Sequence, residues 1–247
     1  MGELLSSKLA VVTGASGDIG SDVALLLAEE GAEVIATYNS RKKEAEKLEG
    51  RRGLRITAEK LDVGDEAAVK RFFAALEESS RRPDILVNAA GHSSREIWFG
   101  RPEELDPRAW TSVYMVDVVG SFNCAREAAA LMNGGRGGSI VNFSSAAGVT
   151  GHTEGLPYTA AKAALIAVTK SLARMYAPRV RVNAVAPGNI DAGSIRWYAK
   201  EQIRRLASES PLGRLGSRRE VSNAVLFLAS DLSSFVTGQT ILVDGGI

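Results

Sequence analysis

The sequence has few residues of several types, and each scarcity excludes a class of protein. Cys124 is the single cysteine, so no disulfide can form within the chain, and its small and apolar surroundings predict a buried structural thiol. The two histidines, His92 and His152, have no partners at metal-ligand spacing, so no catalytic metal is expected. The formal net charge of +1 gives no overall field that would attract nucleic acid or a membrane. No apolar run reaches the length of a membrane span.

The composition is that of a globular protein with a sizeable core. Hydrophobic residues make up 45% of the 247 residues and charged residues 24%. No linker, low-complexity tract or internal repeat divides the chain, so residues 1–247 are predicted to form a single domain. The N-terminal stretch has no basic leader followed by a separate apolar core and cleavage site, so we expect a cytoplasmic protein.

Short apolar strands alternate with helical patterns along the whole chain. The β-branched run at 9–13 predicts a buried strand, and a glycine-rich turn and an amphipathic helix follow it, as at the opening of a dinucleotide-binding unit. Six further strands are predicted at 33–38, 54–61, 85–88, 139–144, 179–187 and 239–246. This alternation predicts an α/β fold, a Rossmann-type doubly wound parallel sheet of seven strands with helices on both faces.

The stretch at 145–162 contains three side chains suited to proton transfer at a carbonyl group. Tyr158 and Lys162 are four residues apart near the start of a predicted helix, so they lie on one face and one turn apart. A lysine ammonium near the tyrosine hydroxyl favours the phenolate, so Tyr158 can act as a general acid or base. Ser145 ends an apolar strand, where its hydroxyl can hydrogen-bond the substrate oxygen. An isolated Y-x-x-x-K pattern is common in helices, so this interpretation depends on the rest of the chain.

Further motifs occur in a consistent order over nearly the whole length. They are TGASGDIG at 13–20, DV at 62–63, NAAG at 88–91, Ser145, Y-x-x-x-K at 158–162, PG at 187–188 and TGQTILVDGG at 237–246. With these motifs the chain resembles the short-chain dehydrogenase/reductase family. The resemblance implies an oxidoreductase that transfers a hydride between a nicotinamide cofactor and a carbonyl or alcohol substrate. The 3-oxoacyl-(acyl-carrier-protein) reductases are the most similar members, and sugar or polyol dehydrogenases are the alternative.

The resemblance also implies a role for each matched position. Tyr158 would exchange a proton with the substrate oxygen, Lys162 would assist Tyr158 and hold the nicotinamide ribose, and Ser145 would orient the carbonyl. The implied cofactor-binding positions are Gly14, Ser16, Ile19 and Gly20 at the pyrophosphate, Asp62 and Val63 at the adenine, Asn88, Ala89 and Gly91 beside the cofactor, and Pro187, Gly188 and Ile190 over the nicotinamide.

Three positions depart from the family pattern. Asp18 replaces the middle glycine of the turn, which places a negative charge at the cofactor site, although it could instead favour the helix N-terminus. Asp117 occupies the place of an asparagine that supports a water relay to the lysine; it is either a catalytic residue or a structural helix residue. Ala192 replaces a threonine that contacts the nicotinamide carboxamide. These departures leave a second hypothesis, a non-catalytic nucleotide-binding or regulatory member of the family.

The end of the second strand favours NADP, with NAD as the alternative. The stretch from Tyr38 to Arg41 contains no acid that would bind the adenine ribose hydroxyls of NAD. Arg41 can pair with a 2′-phosphate, and Asn39 and Ser40 can hydrogen-bond it. Alternatively, Arg41 is a solvated residue at a helix start. Gly17 weakens the case for NADP, because NADP-preferring members often have a basic residue there.

The segment at about 189–215 is predicted to form a lid over the substrate, and we call it the lid segment. Within it, Trp197 and Tyr198 would line an apolar pocket or pack structurally. Arg196, Lys200 and Arg204 recur at helical spacing, either as a basic stripe for an acyl-carrier protein or a coenzyme A phosphate, or as a solvated face. The family resemblance implies a homotetramer.

Overall fold

A computed structural model describes residues 3–247 and contains one sheet of seven strands. The strands are β1 (Leu9–Thr13), β2 (Glu33–Tyr38), β3 (Ile56–Lys60), β4 (Ile85–Asn88), β5 (Gly138–Phe143), β6 (Val180–Pro187) and β7 (Thr240–Val243). Their order in the sheet is β3-β2-β1-β4-β5-β6-β7, and every neighbouring pair is parallel. The predicted doubly wound parallel fold is therefore confirmed.

Ten α-helices within the described residues connect and flank these strands. They are α1 (Asp18–Glu29), α2 (Lys42–Glu49), α3 (Glu66–Glu78), α4 (Arg95–Phe99), α5 (Pro107–Tyr114), α6 (Ser121–Asn133), α7 (Ala146–Thr150), α8 (Leu156–Tyr176), α9 (Lys200–Glu209) and α10 (Arg218–Ala229). Helices α1 and α10 share one apolar cluster with the sheet, which includes Leu27 and Leu228. Helices α3, α6 and α8 form a second cluster with it, which includes Phe73, Ala128 and Leu172. The sheet thus has helices on both faces, as predicted.

The central strands β1 and β4 are apolar except for their last residues, Thr13 and Asn88, because both of their faces are buried. Every residue of β1 and β4 is buried, as the continuous apolar runs LAVVT and ILVN predict. The order of the strands reverses between β1 and β4, and in such sheets a crevice opens beyond the carboxyl ends of the strands at that point. The predicted cofactor and catalytic motifs all follow the carboxyl ends of strands, so they meet at this edge.

The chain between β4 and β5 is more divided than the sequence predicted. A short and a long helix were expected over 102–132, but the structure has α4, a 3-10 turn at Pro102–Glu104, α5, a π-helical turn at Met115–Gly120 and α6. The π-helical turn lies against the chain after β3, where a Cβ on Gly120 would be 2.8 Å from the carbonyl oxygen of Val63. This close approach and the extra residue of a π turn leave no signal in apolar periodicity.

The lid segment also differs from its prediction. One helical segment was expected over 194–207, but a 3-10 turn at Gly193–Trp197 precedes α9. No helix among the described residues is long and apolar enough to cross a membrane. Within residues 3–247, no three His, Cys, Asp or Glu side chains are grouped so that they could hold a metal ion.

Candidate active site

The glycine-rich turn between β1 and α1 packs tightly against the chain that follows β4. Gly14 has a φ of +64°, and a Cβ there would lie 2.6 Å from the Cα of Ala90. A Cβ on Gly20 would lie 2.5 Å from the carbonyl oxygen of Gly14. Both positions therefore require glycine, and the turn leads directly into the twelve-residue helix α1, whose first amides have no partner within the helix.

Arg41 reaches this turn from the end of β2. Its Nη2 lies 3.4 Å from the point where a Cβ on Gly17 would stand. Asn39, Ser40 and Arg41 are all exposed. The adjacent Lys42 pairs with a glutamate one turn away, whereas Arg41 forms no ion pair with any described residue. A free cation thus lies beside the turn.

Asp18, the first residue of α1, faces the lid segment. Its Oδ2 accepts a hydrogen bond from the backbone N–H of Gly193 at 2.9 Å and lies 3.0 Å from Nη2 of Arg196. Partial burial opposes ionisation of this carboxyl, but the Gly193 N–H and the Arg196 guanidinium outweigh it and hold the pKa of Asp18 below its usual value. The charge of Asp18 is therefore balanced within the chain.

Ser145, Tyr158 and Lys162 come together at the carboxyl edge of β5. Ser145 is the N-cap of α7, where its Oγ accepts from the N–H of Ala147 at 3.3 Å. The Ser145 hydroxyl also lies 3.5 Å from the carbonyl oxygen of Pro187. Helix α8 begins two residues before Tyr158, so Tyr158 and Lys162 occupy its first turns, and the ammonium of Lys162 lies 5.3 Å from the centroid of the Tyr158 ring.

Lys162 is buried and forms a direct ion pair with Asp117 in the π-helical turn. Its Nζ lies 2.9 Å from Oδ2 of Asp117 and donates to the carbonyl oxygen of Phe143 at 2.8 Å. The other carboxylate oxygen of Asp117 accepts from the N–H of His92 at 2.7 Å. Burial opposes the charge on Lys162, but Asp117 and Tyr158 outweigh it and raise the pKa of the ammonium. Lys162 therefore stays charged beneath the Tyr158 ring.

The remaining predicted cofactor residues lie along the same edge, with different exposures. Asp62 accepts from the N–H of Gly64 at 2.9 Å, and Val63 is buried against Gly120. The side chain of Asn88 is buried and donates to Ser121 and Asn142 beneath the site. The other members are Ser16 and Ile19 in the turn, Ala89 and Gly91 after β4, Pro187 and Gly188 at the end of β6, and Ile190, whose side chain is in the core.

Comparison with known proteins gives the family. Residues 14–247 match the family model described as enoyl-(acyl carrier protein) reductase. The chain is 39% identical over 250 residues to the 3-oxoacyl-(acyl-carrier-protein) reductase of Thermotoga maritima, and the match covers 98% of each chain. The chain belongs to the short-chain dehydrogenase/reductase family. It is accordingly an oxidoreductase that acts on CH–OH or C=O groups.

Two dehydrogenases that are similar to this chain are named for other substrates. The cis-4-hydroxycyclohexanecarboxylate dehydrogenase of Sinomonas cyclohexanicum is 37% identical over 251 residues, which cover 100% of this chain and 98% of that protein. The crystal structure of a putative gluconate dehydrogenase from Agrobacterium tumefaciens superposes with a TM-score of 0.91 at 28% identity, covering 99% of this chain and 98% of that one.

Membership of this family implies a nicotinamide cofactor, and the glycine-rich turn fits one. A Cβ on Gly14 or Gly20 would collide with the backbone of Ala90 or of Gly14, so these glycines let the turn close as tightly as a dinucleotide-binding turn requires. The unpaired amides and dipole at the start of α1 favour an anion there. The acid at position 18 does not oppose this fit, because Arg196 and the N–H of Gly193 neutralise it.

An aromatic side chain that the sequence did not single out lies against Tyr158. The ring of Trp98, in α4, makes an edge-on contact with the Tyr158 ring at a centroid distance of 5.4 Å. The Trp98 ring also packs against His152, at a centroid distance of 5.7 Å, and against Trp197 of the lid segment, at a centroid distance of 6.2 Å. A Cβ on Gly155 would lie 2.7 Å from the Trp98 ring, so this tryptophan is closely packed. We call Trp98, His152 and Trp197 the aromatic cluster.

The carboxylate of Glu154 holds Trp98 and the neighbouring Tyr198 in place through hydrogen bonds. Nε1 of Trp98 donates to Oη of Tyr198 at 2.7 Å and to Oε2 of Glu154 at 3.1 Å, and Tyr198 donates to Glu154. Burial raises the pKa of Tyr198, and the adjacent Glu154 raises it further. The polar ends of three side chains are thus satisfied among themselves, which leaves the ring faces for apolar contact. A helix of five residues around Trp98 has too little periodicity to be predicted.

Proposed function

We propose that the protein is an NADP-dependent reductase of a carbonyl substrate, in which Tyr158 is the general acid, and that its substrate resembles a 3-oxoacyl-(acyl-carrier-protein). The observation that carries this proposal is that the buried Lys162, paired with Asp117 at 2.9 Å, lies 5.3 Å from the centroid of the Tyr158 ring. A cation at this position stabilises the phenolate that remains after proton transfer. The presence of Ser145, Tyr158 and Lys162 together argues against the alternative of a non-catalytic, nucleotide-binding or regulatory protein.

The proposed mechanism assigns one task to each side chain. The hydroxyls of Ser145 and Tyr158 hydrogen-bond the substrate carbonyl and fix its orientation. Tyr158 gives its proton to the carbonyl oxygen as negative charge develops there, and in oxidation it takes the proton back. Lys162 stabilises the tyrosinate and would hold the nicotinamide ribose, while Asp117 positions Lys162. A bound nicotinamide cofactor supplies or accepts the hydride.

The proposal of NADP over NAD depends on Arg41. It stands without an ion-pair partner among the described residues, close to the glycine-rich turn, with the hydroxyl of Ser40 and the amide of Asn39 beside it. A guanidinium with neighbouring hydrogen-bond donors is the usual arrangement for recognising a phosphate.

The substrate proposal draws on the relatives and on the aromatic cluster. The similar proteins include several 3-oxoacyl-(acyl-carrier-protein) reductases, and Lys200 and Arg204 are exposed on the lid segment where an acidic carrier could approach. The alternative is a sugar, polyol or cyclic alcohol. The ring faces of the aromatic cluster favour a substrate with apolar groups beside the carbonyl over a fully hydroxylated one. A homotetramer, a single domain and a cytoplasmic location stay predictions.

Replacement of Tyr158 by phenylalanine tests the catalytic proposal. We expect turnover of a short 3-oxoacyl thioester with NADPH to fall by about 10² to 10⁴-fold, because the proton donor is lost. Binding of NADPH, followed by its fluorescence, should change little. The matched control is Tyr176→Phe at the other end of α8, which should retain activity. Turnover by Tyr158→Phe at the rate of the control would contradict the proposed role, and binding without turnover in the unmodified protein would favour the non-catalytic alternative.

A further inference from the structure

The first residue of α1 is connected to the lid segment, although the two are 175 residues apart in sequence. Oδ2 of Asp18 accepts from the N–H of Gly193 at 2.9 Å and lies 3.0 Å from the guanidinium of Arg196. Most members of the family have a glycine where this chain has Asp18, so the contact does not follow from the family pattern.

The contact differs from an ordinary solvated ion pair. The Asp18 side chain is 23% exposed and that of Arg196 is 63% exposed, but two donors from one turn of chain converge on a single carboxylate oxygen of Asp18. Gly193 has a φ of +56°, a conformation that side chains other than glycine rarely adopt, and this conformation accompanies the N–H contact with the carboxylate. Arg218 adds positive potential from α10. The arrangement is therefore specific to a carboxylate at position 18.

The same short turn carries side chains that reach the reactive centre. The 3-10 turn Gly193–Trp197 places Ile195 in a buried position and ends at Trp197. Trp197 packs against Trp98, and Trp98 packs against Tyr158. One end of the turn is thus attached to the cofactor-binding turn through Asp18, and the other end to the aromatic cluster.

We propose that Asp18 and Arg196 form a latch that holds the lid segment over the reactive centre. Both are positioning residues: they order Trp197 and the aromatic cluster for the substrate and take no part in the proton transfer at Tyr158. Arg196 also cancels the negative charge that Asp18 brings to the pyrophosphate site. In its kinetic consequence the proposal rests on the proposed function, because a KM requires turnover.

Loss of the latch changes substrate binding more than chemistry. With the cofactor saturating, Asp18→Gly and Arg196→Glu should each raise the KM for the substrate by about tenfold, since each removes a charge-assisted contact. The kcat of Arg196→Glu should stay within about twofold, because the groups around Tyr158 are intact. The control is Arg205→Glu, which reverses an exposed, ion-paired cation on the same lid segment and should leave the KM unchanged.

A charge exchange separates the latch from a general structural role. The double variant Asp18→Arg/Arg196→Asp restores the opposite charges, and we expect it to recover at least half of the logarithmic loss in KM that its components Asp18→Arg and Arg196→Asp show singly. Recovery is incomplete because the N–H of Gly193 loses its acceptor. If the double variant is as impaired as the sum of the single ones while its thermal unfolding is unchanged, the latch is wrong.

Tryptophan fluorescence tests the latch without turnover. In a Trp110→Phe background the remaining tryptophans are Trp98 and Trp197, both in the aromatic cluster. Arg196→Glu should increase their quenching by acrylamide, and Arg205→Glu should not. Unchanged quenching would overturn the latch even if the enzyme is active. If Arg196→Glu increases the quenching but the unmodified protein shows no turnover, the latch is supported and the proposed function is contradicted.

Discussion

The buried pair between Lys162 and Asp117 gives a prediction with a definite magnitude. The two charges are 2.9 Å apart, and their side chains are 5% and 0% exposed. At an effective dielectric constant of about 20 their attraction is about 6 kcal/mol, and desolvation of the two ions offsets much of it. Removing one partner nevertheless costs about 3–5 kcal/mol, because the other charge is left buried without compensation.

A double-mutant cycle measures this coupling. We expect Asp117→Asn to lower the free energy of unfolding by about 3 kcal/mol, at the lower end of that range, because the amide oxygen still accepts from the N–H of His92. Lys162→Met should cost a similar amount, since it leaves the carboxylate buried alone. The double variant should be less destabilised than the sum by at least about 2 kcal/mol. Urea unfolding followed by circular dichroism gives the free energy of unfolding of the unmodified protein, the two single variants and the double variant.

Two results would refute this reasoning. The control is Glu66→Gln, which breaks exposed pairs with Lys70 at the same 2.9 Å and with Arg126 at 3.1 Å and should cost less than about 1 kcal/mol. If the effects of Asp117→Asn and Lys162→Met simply add, the ions are not coupled. If Glu66→Gln lowers the free energy of unfolding as much as Asp117→Asn does, burial does not determine how much an ion pair contributes to stability.

The same pair predicts a dependence on pH. Asp117 helps to raise the pKa of Lys162 above its ordinary value of 10.5, so Lys162 binds its proton more tightly in the folded protein than in the unfolded one. Its contribution to stability is therefore fully present below the ordinary value and is lost as the pH rises through the raised one. The stability difference between the unmodified protein and Asp117→Asn should be largest near neutral pH and narrow as the pH rises, because the buried Lys162 of the variant, without its counter-charge, releases its proton at lower pH and the unmodified protein loses its own contribution at high pH.

Three further predictions concern other parts of the site and core. Arg41→Ala should weaken NADPH binding by about tenfold or more and leave NADH binding nearly unchanged in fluorescence titrations; equal losses would remove the reason for proposing NADP. Gly148→Ala places a Cβ 2.7 Å from the carbonyl carbon of Lys162, so it should displace the start of α8, cost about 1–3 kcal/mol in urea unfolding and lower kcat; Gly50→Ala, where φ is −71° and the Cβ would come no closer than 3.9 Å to another atom, should keep kcat. Burial raises the pKa of Cys124 to about 12, so a chromogenic disulfide reagent at pH 8 should react with it only after denaturation, and rapid reaction of the folded protein would contradict its burial.

The fold and the location of the site could be predicted because each depends on local patterns. The continuous apolar runs of β1 and β4 predict strands that are buried on both faces, and the structure buries every residue of both. Once the sheet is parallel, all residues that follow strands meet at one edge, which brings Ser145 near the motifs at 14–20 and 187–188 without any knowledge of side chains.

The contacts that distinguish this chain could not be predicted, because they join residues that are far apart in sequence. Asp117 was noted as a replacement for asparagine, but the direction of its carboxylate depends on the π-helical turn, which has no periodic signal. Trp98 lies in a helix too short to predict, and only the tertiary packing brings it to Tyr158. The pairing of Asp18 with Arg196 could not be predicted either, because the sequence pattern indicates Arg196 only as one member of a basic stripe.

The acids at the two charged departures from the family pattern share a physical feature that bears on activity. Asp18 faces Arg196, and Asp117 faces Lys162, so each added negative charge lies about 3 Å from a cation of the same chain. Neither acid therefore presents an uncompensated charge to the cofactor, and the departures do not by themselves argue for lost activity. The same compensation implies that restoring the family residue alone, as in Asp18→Gly or Asp117→Asn, leaves an unpaired cation behind. We therefore expect these two reversions to lower the activity or the stability of the protein. A reversion that increased turnover would show that the acid at that position reduces activity.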